Sequence, residues 1–143
     1  MKSLIFIAMI ALAGAAPSAF AAPDDDPVGR CLAASASEEI AENDVAACDE
    51  AVSAARRFGT ERRIDVYAAS GAVKFRAGDP VAAAADYGLA LKLRKTPELY
   101  YARGRCYEIL GAYQLAKYDF TEAVELNDRW LEARAALGRV SRS

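Results

Sequence analysis

The sequence contains no histidine, three cysteines, two methionines and a single tryptophan. Without imidazole there can be no Ser-His or Cys-His nucleophilic pair and no His-ligated metal site. Cys31, Cys48 and Cys106 are too scattered to form a four-coordinate zinc site and lack a fourth ligand. No Gly-rich phosphate loop is present: Gly71, Gly78 and Gly88 read as helix-packing and turn glycines. Neither sign of charge is in large excess, with 18 Lys+Arg against 20 Asp+Glu and a net charge of −2. A general nucleic-acid binder needs a basic surplus to neutralise phosphates, so nucleic acid is not an expected partner. Neighbouring carboxylates occur at Asp24-Asp25-Asp26 and Glu38-Glu39, in an N-terminal tail and at a solvated helix start. Acid–base catalysis requires carboxylates held across a cleft, and these are not. The absences together predict a protein that is not an enzyme and carries no metal and no cofactor.

Long apolar stretches are also scarce, and there is one. Leu4 to Ala16 is apolar apart from Gly14; Lys2 precedes it, and Pro17-Ser18 and Ala19-Phe20-Ala21 follow. A charged start, a short apolar core and an A-x-A end form the secretory pattern, which predicts a signal peptide over 1–21. The core is too short to cross a bilayer, which takes about 20 residues, so no membrane anchor is expected after cleavage. Losing Lys2 with this segment moves the net charge one unit more negative than −2. The leader best fits a bacterial protein, which places the mature chain in the periplasm or outside the cell, where disulfides persist. Residues 22–30, acidic and proline-containing at their start, are expected to be a flexible segment.

Alanine is abundant, with 33 of 143 residues, which favours helix. The remaining order is a repeat with an offset of 33. Tyr67 answers to Tyr100, Gly71 to Gly104, Gly78 to Gly111, Ala83 to Ala116, Tyr87 to Phe120, Ala90 to Ala123 and Leu93 to Leu126. Each unit reads as a helical hairpin. The first Gly lies mid-helix, where a missing side chain lets a neighbouring helix approach. The second Gly ends the first helix. The Ala, aromatic, Ala and Leu then share one face of the second helix. Asp79-Pro80 and Thr96-Pro97 read as N-cap and first helical residue. Helices are expected at about 61–77, 80–94, 97–110 and 113–127, with a last one at about 129–140 capped by Asp128.

Residues 31–60 read as a degenerate leading hairpin that shields one end of the stack. A short helix over Val28–Ala36 carries Cys31 and Leu32. A firmer one over Val45–Phe58, capped near Asn43 or Asp44, has Val45, Cys48, Val52 and Ala55 on its apolar face. Gly59 ends it, and Thr60 caps the next.

The stretch from Pro97 to Trp130 resembles a full tetratricopeptide repeat. It carries Tyr100, Gly104, Tyr107, Gly111, Tyr113, Ala116, Phe120, Ala123 and Leu126 at the signature positions. Residues 64–96 resemble a second unit, one residue shorter. Lys74 and Pro80 stand where aromatics are usual, Arg103 where leucine is commoner, and Asp128 where proline is usual. The leading part, with Cys31, Asn43-Asp44 and Ala47-Cys48-Asp49-Glu50-Ala51-Val52, is similar to short exported proteobacterial proteins of this family. The resemblance implies an all-α, α-α superhelix. Its parts are the leading hairpin (31–60), units at 64–96 and 97–130, and a C-terminal capping helix and tail at 131–143.

Cysteine pairing is read from the compartment. In an oxidising one, Cys31 and Cys48, one on each helix of the leading hairpin, are expected to form a disulfide. Closing such a loop contributes roughly 3 kcal/mol in the chain-entropy picture. The alternative is three reduced, buried thiols. Cys106 is expected to be a core thiol, not a nucleophile.

The resemblance also implies a binding groove lined by the first helix of each unit. Carried onto this chain, its residues are Asp65, Ala68, Ala72, Phe75 and Arg76 in the first unit. The second unit supplies Glu98, Tyr101, Arg105, Glu108 and Ile109, and the last helix adds Glu132, Ala135 and Arg139. An aromatic centre flanked by Arg and acids suits a protein or peptide partner, since Tyr and Arg often carry interface energy. The expected function is a periplasmic interaction module or adaptor. The alternative is a structural or self-associating subunit of an envelope complex, a homo-oligomer.

Overall fold

The computed structural model describes residues 26–142, so the signal peptide expected at 1–21 and residues 22–25 of the acidic segment lie outside the described residues. Among the described residues there are seven α-helices and no strand. They are α1 (Pro27–Ala36), α2 (Asp44–Ala54), α3 (Thr60–Arg76), α4 (Pro80–Leu93), α5 (Pro97–Ile109), α6 (Tyr113–Leu126) and α7 (Leu131–Val140). A single 3-10 turn, Ala55–Arg57, prolongs α2. Each helix packs on its sequence neighbours, and α1 also reaches α3.

Local chemistry accounts for the clearest helix boundaries. The Ala82 amide donates to Asp79 Oδ1 at 2.9 Å, and the Leu99 amide to Thr96 Oγ1 at 3.3 Å, each with proline at the first helical position. Gly78 (φ +85°) and Gly111 (φ +70°) end α3 and α5 in the left-handed conformation that a side chain would strain.

Five expectations change. Thr60 does not cap α3: it is the first residue of that helix, behind Gly59, and no side chain caps it. The flexible segment expected to run to residue 30 ends earlier: the helix expected over Val28–Ala36 forms and starts at Pro27, because the Asp26 carboxylate takes the Val28 and Gly29 amides at 3.4 and 3.0 Å. Asp128 does not cap α7, which starts after Trp130 without a side-chain cap. Asn43 precedes α2 without capping it, and Asp44 instead accepts the Ala41 amide at 2.7 Å. Leu126, expected on the packed face of α6, is 51% exposed, since it closes its helix where few side chains reach.

The core follows the repeat. Ala83, Ala90, Ala116 and Ala123 are fully buried between helices. A Cβ on Gly71 would lie 2.9 Å from the Tyr87 ring, and one on Gly104 would lie 2.8 Å from the Phe120 ring. These glycines therefore exist to seat the aromatic of the second helix, a contact that offsets their poor helix propensity of about 1 kcal/mol.

Two carboxylates are buried with that core, both on second helices and 33 residues apart. Asp86 Oδ2 accepts from Ser70 Oγ at 2.6 Å and from Lys74 Nζ at 2.7 Å. Asp119 is fully buried and takes Arg103 in a two-point contact, Nε at 2.8 Å and Nη2 at 2.7 Å. The departures at Lys74 and Arg103 thus supply the cations these acids require. Lys74 also reaches Asp49 Oδ1 at 2.7 Å, which ties α2 to α3. Burial opposes the Lys74 ammonium, but Asp49 and Asp86 outweigh it and hold the group above its ordinary value. Burial pushes the Asp119 carboxyl up against the pull of Arg103.

Cys31 and Cys48 are joined by a disulfide that staples α1 to α2, and both are fully buried.

Candidate interaction cleft

The first helices α3 and α5 lie side by side, and their facing side chains form a small cleft. It has a volume of about 190 Å³ and is lined by Phe75, Tyr87, Tyr101, Ala102 and Arg105. Phe75 ends α3, Tyr101 and Arg105 are one turn apart on α5, and Tyr87 enters from α4. The Arg105 guanidinium lies over the Phe75 ring, 5.4 Å from its centre. It makes no hydrogen bond among the described residues, so its in-plane donors are available to an acceptor. Tyr101 is fixed by two rings, Trp130 at 4.6 Å and Phe120 at 5.6 Å between centroids.

The residues assigned to the groove fall into three groups. Phe75, Tyr101 and Arg105 meet in the cleft. Glu108 and Arg139 pair with each other, Arg139 Nε and Nη2 donating to the two Glu108 oxygens at 3.0 and 3.1 Å, a surface ion pair that links α7 to α5. The rest do not line the cleft. Ala68 and Ala72 are half-buried along α3, and Asp65, Glu98, Glu132 and Ala135 are exposed. Ile109 is 60% exposed at the end of α5. Arg76 is committed elsewhere: its guanidinium donates to the Ala34 and Ser35 carbonyls at 2.6 and 3.1 Å, capping the C-terminus of α1. That contact spans more than 40 residues of chain and has no local sequence signal.

Two side chains of the site escape sequence reasoning. Tyr87 was assigned wholly to core packing, yet one edge fills the gap over Gly71 while another lines the cleft. Burial pushes its hydroxyl well above the usual tyrosine range, so it stays neutral. Trp130, the only tryptophan, braces Tyr101, and its uniqueness beside a helix start was the available signal.

Cys106 lies behind the cleft, fully buried, its thiol donating to the Ala102 carbonyl at 3.3 Å. Burial pushes it up to about 12, which keeps it protonated and unreactive. Among the described residues no group of three or more His, Cys, Asp or Glu could hold a metal ion. No helix of the described residues is long and apolar enough to cross a membrane.

Comparison with known proteins agrees with this architecture. Residues 97–130, α5 and α6 with their flanks, match the tetratricopeptide repeat family model. No curated protein matches the chain at a significant level. Among solved structures, the chain is similar to the first TPR of Spaghetti (RPAP3) bound to HSP90 peptide SRMEEVD. The TM-score is 0.52 at 19% identity, covering 74% of this chain and 97% of that one. That identity speaks for the fold alone. Residues 97–130 thus form a tetratricopeptide repeat unit, and the described helical hairpins share the fold of such repeat domains.

Proposed function

We propose that the chain is an exported protein-interaction module that seats a segment of a partner protein between α3 and α5 and performs no catalysis. The observation that carries this reading is the cleft of Phe75, Tyr87, Tyr101 and Arg105. It joins an apolar notch to a guanidinium whose donors lack an acceptor, which suits an apolar side chain next to a carbonyl or carboxylate. The peptide held by the structurally similar repeat domain supports a polypeptide ligand. Export is supported by the leader-like residues 1–21 and by the Cys31–Cys48 disulfide, which belongs in an oxidising compartment.

Affinity capture from envelope extract, with wild type beside Tyr101→Ala plus Arg105→Ala, tests the cleft. Loss of the captured partner from the double variant is expected. Identical partners for both proteins would contradict the reading. A self-associating envelope subunit is the second reading, favoured by exposed Ile109, Leu110 and Tyr113 around the α5–α6 turn. Light scattering separates the two, because a monomer at high concentration disfavours assembly.

A further inference from the structure

Gly88 sits in the middle of α4, where glycine weakens a helix relative to alanine. Unlike Gly71 and Gly104, it is not there for close packing: a Cβ would meet only Arg103 Nη1, at 3.7 Å. The repeat does not ask for it either, since the equivalent residue of the second unit is Thr121. Its missing side chain leaves room in an open groove of about 690 Å³ between α4, α5 and α6, which shares no lining residue with the cleft.

The groove has a distinct chemistry. On its floor the Arg103 guanidinium lies between the Tyr100 and Tyr107 rings, 6.0 and 5.8 Å from their centres. Asp119 takes its Nε and Nη2, so the guanidinium is held flat between the rings, with Nη1 on the side of Gly88. One wall is small, with Gly88 and its neighbouring alanines, and the other presents Tyr118, which is 55% exposed. At the C-terminal end of α4 stand Lys92 and Lys95, both exposed and neither paired with an acid among the described residues. Besides Asp119, Glu122 stands beside the Tyr100 hydroxyl.

We propose that this groove is a second docking surface whose occupant is an acidic segment of a partner protein bearing an aromatic or long aliphatic side chain. The apolar side chain takes the space over Gly88, against the tyrosines, and the flanking carboxylates meet Lys92 and Lys95. The open shape fits a chain segment better than an enclosed small molecule. Charge fixes the sign of the partner, and the unfilled space over Gly88 fixes where its anchor sits.

The test is an NMR titration of the isotope-labelled protein with the blocked peptide EEFLEE and its counterpart KKFLKK. The acidic peptide is expected to shift the Gly88, Tyr100 and Tyr118 signals and to bind at least about fivefold more tightly than the basic one. Gly88→Leu should abolish that binding without lowering the melting temperature, because leucine is a better helix former and its Cβ meets only Arg103 Nη1, at an ordinary contact distance. Lys92→Glu with Lys95→Glu, which disturbs no packed atom, should reverse the peptide preference and keeps the test readable if Gly88→Leu folds poorly. Unchanged binding by both variants, or shifts confined to Phe75 and Tyr101, would overturn the proposal. So would a dimer of the wild type that Gly88→Leu dissociates, since a second copy would then be the occupant.

Discussion

In the α3–α4 hairpin, Asp86 is held by the Ser70 hydroxyl and by Lys74 one turn further along. In the α5–α6 hairpin, Asp119 stands at the matching place, but Arg103 replaces Ser70 and Tyr107 replaces Lys74. Both units bury a carboxylate against the first helix, and both answer it with one cation, carried at different positions. The difference teaches that departures from a repeat pattern come in compensating pairs. Lys74 and Arg103, read singly, look like losses of packing residues. Read with Asp86 and Asp119, each is what keeps a buried charge from standing alone.

The two solutions should differ in robustness. Arg103→Met leaves the fully buried Asp119 without its partner and should cost about 3–5 kcal/mol in chemical denaturation. Lys74→Met should cost less, about 2 kcal/mol, because Ser70 still donates to Asp86 and the Asp49 side chain is 61% exposed and can rehydrate. Equal losses for the two variants would break the comparison.

A third contrast is Val73 in the first unit against Cys106 in the second, 33 residues apart and both fully buried. The Cys106 thiol keeps its proton up to about 12 in the folded chain, against 9.0 for an ordinary thiol. Above pH 9 the unfolded chain releases a proton that the folded chain retains, so stability falls as pH rises towards 12. The slope from this one group is at most about 1.4 kcal/mol per pH unit. Denaturation from pH 8 to 11 should show a shallower decline for Cys106→Val, which copies the first unit. Buried Tyr87 and Tyr100 leave a residual slope of the same sign.

How much of this was legible in the sequence depends on the range of the interaction. The starts of α4 and α5 were readable because Asp79-Pro80 and Thr96-Pro97 act within three residues. Gly71 and Gly104 were readable because a recurring aromatic waits about 16 residues on. The Asp86–Ser70 and Asp119–Arg103 pairs share that spacing, and Lys74 lies one turn nearer to Asp86, but polar residues on a packed face read as solvated until the partner helix is in place. Of the groove, Phe75, Tyr101 and Arg105 converge where the repeat pattern put them. Arg76 lies in the right stretch of helix, but its capture by the end of α1 is a contact between distant segments. Trp130 and Tyr87 serve the site as well as the core, and a one-residue-one-role reading misses both.

The central claim is that the partner is held between α3 and α5. A photo-crosslinking residue at Ala72, on the half-buried face of α3 one turn before Phe75, should yield a discrete partner adduct. The same residue at exposed Val81 on α4 should yield none. Adducts at Val81 and none at Ala72 would contradict the account.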